Sequence, residues 1–193
     1  MTRKENNKYE TARWQAIIVV PSRLPLVSQH TLRFRTYEET PDNAEAIQAA
    51  RAFLAGDIDP PLLLVVGTPG VGKTHLALAV AWEHAEDWGQ LLYYQAEELL
   101  DDLRDFEAGK YVRWIKRIRE TPLLIIDDIG AQSDTAYGMA KMDMIIDYRY
   151  REHKPVLATS NTLKLPDRLL DRFKAGKVVL IKGQSRRGRK DND

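Results

Sequence analysis

Five short apolar runs punctuate the chain, at Leu62–Val66, Leu91–Gln95, Leu123–Asp127, Val156–Ser160 and residues 178–181. Their apolarity is continuous rather than alternating, the habit of strands buried on both faces of a parallel sheet. Between them lie stretches with helical spacing. Residues 74–88 are rich in Ala and Leu and stop at Gly89, and residues 138–153 place Met142, Ile145, Ile146 and Arg149 three or four apart before Pro155. Ahead of the first run, Thr40 followed by Pro41 predicts a helix start with an N-cap and a proline at N1, and Gly56 predicts its end. Strand and helix signals in alternation predict a three-layer α/β domain.

The length, 193 residues, fits one domain with a short appendage at about 150 residues per domain. Cys is absent and the four His are scattered, which excludes a disulfide scaffold, a thiolate zinc site and a thiol nucleophile but leaves oxygen-ligated metals open. The apolar runs are far shorter than the roughly 20 residues that span a bilayer, and the start MTRKENNKYE has no signal-peptide core. A cytoplasmic location without membrane contact is the expectation. The net charge of +1 is unevenly spread: residues 1–35 carry seven basic and two acidic side chains, and residues 164–193 carry ten and four. An acidic body between basic ends follows. The division expected is a basic arm at 1–35, a core at 36–182 and a basic tail at 183–193.

The densest chemical signal is Gly67, Thr68, Pro69, Gly70, Val71, Gly72, Lys73 and Thr74, which fits G-x-x-x-x-G-K-[ST] between a strand and a helix. Glycines let successive N–H groups face an anion, and the helix N-terminus favours phosphate. Lys73 would reach the β/γ-phosphates and the Thr74 hydroxyl would ligate Mg²⁺. His75 adjoins this set and is expected to pack behind the loop. The third run ends in Asp127 and Asp128. The first suits Mg²⁺ held through water, and the second could orient or deprotonate an attacking water, with a side chain one methylene shorter than Glu. The fourth run leads to Asn161, either a γ-phosphate sensor or a turn residue. Arg168 and Arg172 are either solvated helix charges or groups that reach a neighbouring subunit's nucleotide.

The runs GKTHLA at 72–77, LLIIDDIG at 123–130, DYRYR from Asp147, KPVLATSN ending at Asn161 and Asp171-Arg172-Phe173 resemble the AAA+ ATPases of the bacterial helicase-loader group, which includes the DnaC and DnaI loaders and the IstB transposition helper. The resemblance covers about residues 32–187. It implies a P-loop fold with a five-stranded parallel sheet in the order 5-1-4-3-2, ATP and Mg²⁺ as cofactors, nucleotide-bridged self-assembly and binding of single-stranded DNA. Lys73 and Thr74 correspond to Walker A, Asp127 and Asp128 to Walker B, Asn161 to sensor 1, Arg172 to the arginine finger and Arg187 to the sensor 2 arginine. Two departures stand out. The cysteine-rich docking domain of many loaders has no expected counterpart in the roughly 35 residues before the core, and the chain ends just after the fifth run, so the C-terminal lid of most AAA+ proteins is not expected, as in the loader group.

For nucleic acid, Lys110, Arg113, Lys116 and Arg117 share a basic stretch with Tyr111 and Trp114. They could supply phosphate contacts and stacking. On the bland reading Val112, Ile115 and Ile118 face the core and the charges are solvated. Tyr93 and Tyr94 are expected to pack in the core, and the apolar patch from Trp14 to Leu26 to fold back on it. The sequence thus points to an ATPase accessory to DNA replication, a helicase loader with the replicative helicase as partner. The alternatives are a transposition helper on double-stranded DNA and an ATP-switched binding module with little hydrolysis.

Overall fold

The computed structural model describes residues 31–88, 90–105, 108–130, 136–183 and 185, with the side chains of 86–88, 105 and 108–111 left aside. The segment Trp14 to Leu26, Arg187 and the Lys110 side chain lie outside the described residues.

Five strands form one parallel sheet: β1 (Leu62–Val66), β2 (Leu91–Gln95), β3 (Leu123–Asp127), β4 (Val156–Ser160) and β5 (Lys177–Leu180), in the order β2-β3-β4-β1-β5. This is the expected order read from the other edge. Four strands have the expected bounds and β5 begins one residue early. Every residue of β1, β3 and β4 is buried, as a parallel sheet covered on both faces requires.

Alternation along each strand divides the core. Leu63, Val65, Tyr93, Ile125 and Leu157 face a layer made by α1 (Ala44–Ala55) and α2 (Lys73–Trp88). Leu62, Leu64, Tyr94, Ile126 and Ala158 face α3 (Ala96–Asp105), α4 (Ala108–Glu120), α5 (Ala136–Arg151) and α6 (Asp167–Ala175). Helix α3 is not announced by the apolar runs, because Leu99, Leu100 and Leu103 supply its buried stripe within an acidic segment.

Helix α1 opens later than the Thr40-Pro41 signal predicts. Residues 41–43 form a turn in which the Thr40 carbonyl accepts from Ala44 N at 3.0 Å, while Thr40 N donates to Asn43 Oδ1 at 2.8 Å. Asn43, not Thr40, stands at the N-cap position, and its side chain closes the preceding turn rather than capping a helical N–H. At the other end Gly56, at φ 82°, donates to Ala52 O and Phe53 O, the left-handed cap expected of it. Residues before α1 also join the core: Leu32 and Phe34 pack on it, and the Arg33 guanidinium lies 4.5 Å over the Trp82 ring.

Helix α4 corrects the bland reading in one respect. Ile115 and Ile118 are buried, but Val112 is 63% exposed. It falls on the solvent face with Arg113, Lys116 and Arg117 because positions 112, 113, 116 and 117 share one side of a helix while 115 and 118 occupy the other.

Arg149, on α5, is fully buried. Its Nη1 donates to Ile118 O (2.9 Å) and Arg119 O (3.1 Å), and its Nη2 to Pro155 O (2.7 Å) and Pro122 O (3.4 Å). The first two are terminal carbonyls of α4, where the helix dipole is negative. The others precede β4 and β3. One planar fork thus joins the C-terminus of α4 to the starting edge of the sheet. Burial pushes the guanidinium down to about 9, which still leaves it charged at neutral pH. Arg149→Met takes the donor from four carbonyls, of which Pro155 O keeps Leu124 N, and is expected to cost about 3 kcal/mol or more in denaturant unfolding. Arg149→Lys should recover only part of this, since an ammonium lacks the fork.

Candidate functional site

The site lies at the carboxyl ends of the strands, where α/β sheets bind ligands beside the strand at which chain order reverses. Here that strand is β1, flanked by β4 and β5. From Val66 the chain enters the loop 67–72 and then α2. Gly67 N extends the β1–β4 pairing by donating to Ser160 O at 3.1 Å, and Leu76 N donates to Gly72 O at 3.0 Å as the helix begins. Gly70 and Gly72 have φ of 85° and 106°, a region that glycine enters freely. A Cβ on Gly72 would also meet the Tyr37 hydroxyl at 2.9 Å.

The loop borders a cleft of about 620 Å³ lined by Pro69, Gly70, Gly72, Lys73, Thr74, His75, Asp127, Asp128 and Asn161. Residues from three separate sequence motifs are therefore gathered in one place. Leu32, Gln95, Glu97 and Thr159 join them, and none of these was singled out from the sequence. Gln95 and Glu97 arrive because β2 pairs with β3 so that Gln95 stands opposite Asp127.

The polar groups form two connected chains. In one, Lys73 Nζ donates to Thr68 O (3.1 Å) and to Asn161 Oδ1 (2.7 Å), and Asn161 Nδ2 donates to Asp128 Oδ1. The Asn161 amide thus links the loop cation to the second carboxylate. Asp128 itself sits at φ 60°, a left-handed conformation that Asp tolerates better than most residues and that recurs at functional sites.

In the other chain, Asp127 is buried and collects three hydroxyls. Thr74 Oγ1 donates to its Oδ2 at 2.8 Å, Tyr93 OH donates to the same oxygen at 2.9 Å, and Thr159 Oγ1 donates to Oδ1. Thr159 in turn accepts from Asp128 N at 2.9 Å. Tyr93 packs in the core as expected, yet its hydroxyl is also part of the site. The signal that could have found it is a phenol in the strand beside the acidic one. Burial, and then the Asp127 charge, push the Tyr93 phenol well above its ordinary range, so it remains a donor at neutral pH.

His75 borders the cleft and also packs against the segment before α1. Its ring meets Tyr37 edge-on at 4.8 Å, and Nε2 lies 3.0 Å from Arg33 O and 3.3 Å from Thr36 Oγ1. Arg172 is elsewhere: it lies on α6 against Asp147 of α5 and does not line this cleft. Arg113, Lys116 and Arg117 are on the surface of α4, with the Arg117 guanidinium 5.5 Å from the centre of the Trp114 ring.

Thr74 and Asp127 offer adjacent hard oxygen donors that fit Mg²⁺. No cluster of three or more His, Asp or Glu among the described residues is arranged to hold a metal. Among the described residues no helix is long and apolar enough to cross a membrane.

The loop, the acidic strand end and the strand order define a P-loop AAA+ protein that binds ATP. The chain belongs to the family of IstB-like ATP-binding proteins, whose model matches residues 22–193. It is 31% identical over 100 residues to an ATP-binding protein of insertion sequence IS5376 from Geobacillus stearothermophilus, covering 51% of this chain and 39% of the relative. It is 28% identical over 124 residues to the replicative helicase loader DnaC of Escherichia coli K12, covering 60% and 51%. The chain spans about half the length of the curated relatives it matches. Among solved structures, DnaI superposes with a TM-score of 0.69 at 25% identity, covering 91% of this chain and all of that one.

Removing a hydrogen bond from a buried carboxylate costs about 1.5–3 kcal/mol. Tyr93→Phe and Thr159→Val are each expected to lower the unfolding free energy by that order in urea titrations. An unchanged midpoint for both would mean that the three-hydroxyl cage does not stabilise the fold.

Proposed function

We propose that the chain holds ATP with Mg²⁺ in this cleft and hydrolyses it, ATP + H₂O → ADP + phosphate, as an accessory protein of DNA replication. It acts as a DnaC-like helicase loader on single-stranded DNA. The observation that carries the reading is the meeting of Lys73, Thr74, Asp127, Asp128 and Asn161 around one cleft. The division into an arm at 1–35, a core at 36–182 and a tail at 183–193 belongs to the same proposal.

The loop amides and Lys73 bind the phosphates, and Lys73 exchanges Asn161 for a phosphate oxygen as it does so. Thr74 and Asp127 would hold Mg²⁺, which would supply positive charge to offset the charge developing on the transferred phosphoryl group. Released from Lys73, Asn161 and its partner Asp128 orient the attacking water. Arg172 of a neighbouring copy completes the site in a self-assembled form, and Arg187 contacts the nucleotide. A short carboxylate at position 128 and dependence on a neighbour make hydrolysis slow in the isolated chain.

The exposed face of α4, with Arg113, Lys116 and Arg117 beside Val112 and the Trp114 ring, supplies phosphate contacts for DNA. Lys110 belongs to the same stretch. The replicative helicase is the protein partner on this reading. A second reading, a transposition helper acting on double-stranded DNA, is favoured by the IstB-like family and the IS5376 relative.

Lys73→Ala is expected to abolish ATP binding in equilibrium dialysis and to reduce turnover by roughly 10²-fold or more. Turnover equal in wild type and variant sinks the ATPase reading, and ATP binding without turnover in either leaves the ATP-switched binding module. Replacing Arg113, Lys116 and Arg117 together by Ala should reduce the salt slope of single-strand binding by about 2, at ~0.7 per phosphate contact. Anisotropy with single- and double-stranded oligonucleotides separates the two DNA readings: tighter binding to the duplex favours the transposition helper.

A further inference from the structure

Arg172 is held from two sides by residues of a different helix. Its Nε and Nη2 donate to Asp147 Oδ1 at 3.1 and 2.8 Å, and its guanidinium carbon lies 4.7 Å over the Tyr150 ring. We infer that Asp147, with Tyr150, is a positioning residue that fixes the Arg172 guanidinium in the orientation in which it meets the nucleotide of a neighbouring copy. The inference rests on the reading of Arg172 as a group acting between subunits.

The Asp147 carboxylate is the hub of a larger arrangement. Its Oδ2 takes Arg151 Nε at 3.1 Å, and Oδ1 lies 3.7 Å from Arg168 Nη2. Arg168 is itself drawn to Asp143 at 3.2 Å. Three guanidinium groups thus converge on one carboxylate whose side chain is 14% exposed. The hydrogen bond from Arg172 is the main cause that holds this carboxyl below its ordinary range, against the opposing effect of burial. It stays ionised and keeps its grip at neutral pH.

Arg172 differs from its neighbours in what remains available. Its side chain is 31% exposed, against 64% for Arg168 and 65% for Arg151, so it is the most restrained of the three. Asp147 engages Nε and Nη2, and Nη1 makes no hydrogen bond to a described residue. A planar guanidinium gripped along one edge and stacked on one face retains its outer N–H groups for a phosphate. Holding a long side chain in place before the partner arrives removes rotamer entropy that the encounter would otherwise have to overcome. A loose arginine would bind the same phosphate with the same charge but a poorer geometry.

The test compares full-length Asp147→Asn and Tyr150→Leu with wild type, Arg172→Ala and Lys73→Ala. Turnover at saturating ATP and affinity for a fluorescent ATP analogue are both measured. Asp147→Asn and Tyr150→Leu are expected to lower saturating turnover roughly tenfold, a fraction of what an arginine finger can supply, with analogue affinity within twofold of wild type. Mixing Asp147→Asn with Lys73→Ala chains, which carry an intact Arg172, should restore turnover, and mixing with a Lys73→Ala/Arg172→Ala chain should not. Turnover of Asp147→Asn that is unchanged or raised, while Arg172→Ala is impaired, overturns the inference; a rise would mean that Asp147 restrains the arginine rather than presents it. Loss of analogue affinity, or failure of the mixture to recover where Arg172→Ala recovers, also overturns it in favour of a purely structural role. If Arg172→Ala turns over as wild type does, the intersubunit reading falls first. Should Asp147→Asn not fold, Tyr150→Leu decides the matter through the same mixtures.

Discussion

A carboxylate buried at the end of the interior strand β3 is the constraint on which the active end of this molecule depends. Asp127 can be buried there only if hydrogen bonds replace the water it loses, and the donors come from three different elements: Thr74 from α2, Tyr93 from β2 and Thr159 from β4. Satisfying that one group therefore fixes where α2 begins relative to the sheet and how the ends of β2, β3 and β4 align. The same alignment turns Asp128 into its left-handed conformation and brings it to Asn161. Geometry suited to phosphate chemistry is in part a by-product of solvating a single charge.

The opposite end of the sheet carries a counterpart. Arg149 is buried like Asp127, and the two ends of its fork are held by neutral dipoles, four backbone carbonyls in place of three hydroxyls, while its Nε makes no hydrogen bond to a described residue. Interior charges solvated in this way are costly to strand and specific in what they accept, which favours one arrangement over its near neighbours more than it adds net stability. Between the two poles the strands contribute apolar burial, which is strong but tolerant of sliding. The polar ends supply the register.

Function divides along the same geometry. The groups proposed to act on nucleotide lie at the carboxyl ends of β1, β3 and β4, while those proposed to act on other molecules lie on the helices of one layer. Arg113, Lys116 and Arg117 are on α4, and Arg172 is on α6 against α5. Helices α4, α5 and α6 share one core with the inner strand residues that precede the site. A change in how Asp127, Asp128 and Asn161 are engaged is therefore one packing layer away from both surfaces.

The apolar runs mark the strands in the sequence, because strands buried on both faces, as β1, β3 and β4 are, must be apolar throughout; the order of the strands came from the family resemblance. The loop from Gly67 to Thr74, Asp127, Asp128 and Asn161 are legible for a related reason: backbone-cradled phosphate and strand-end carboxylates impose residue types at fixed spacing. Less was legible where partners are distant in sequence. Tyr93 reads as core until β2 is laid beside β3, and Thr159 reads as a strand residue until its hydroxyl faces Asp127. Thr40 reads as a cap until the helix opens four residues later, at Ala44, and Val112 reads as core because periodicity alone does not say which side of α4 meets the sheet. Arg149 reads as one more position on an amphipathic helix, and Arg172 as a helix charge. Only the tertiary structure set the first among carbonyls from two loops and a helix end and laid the second on Asp147 and Tyr150, since hydrogen-bond partners more than a few residues apart are chosen by packing and not by local pattern.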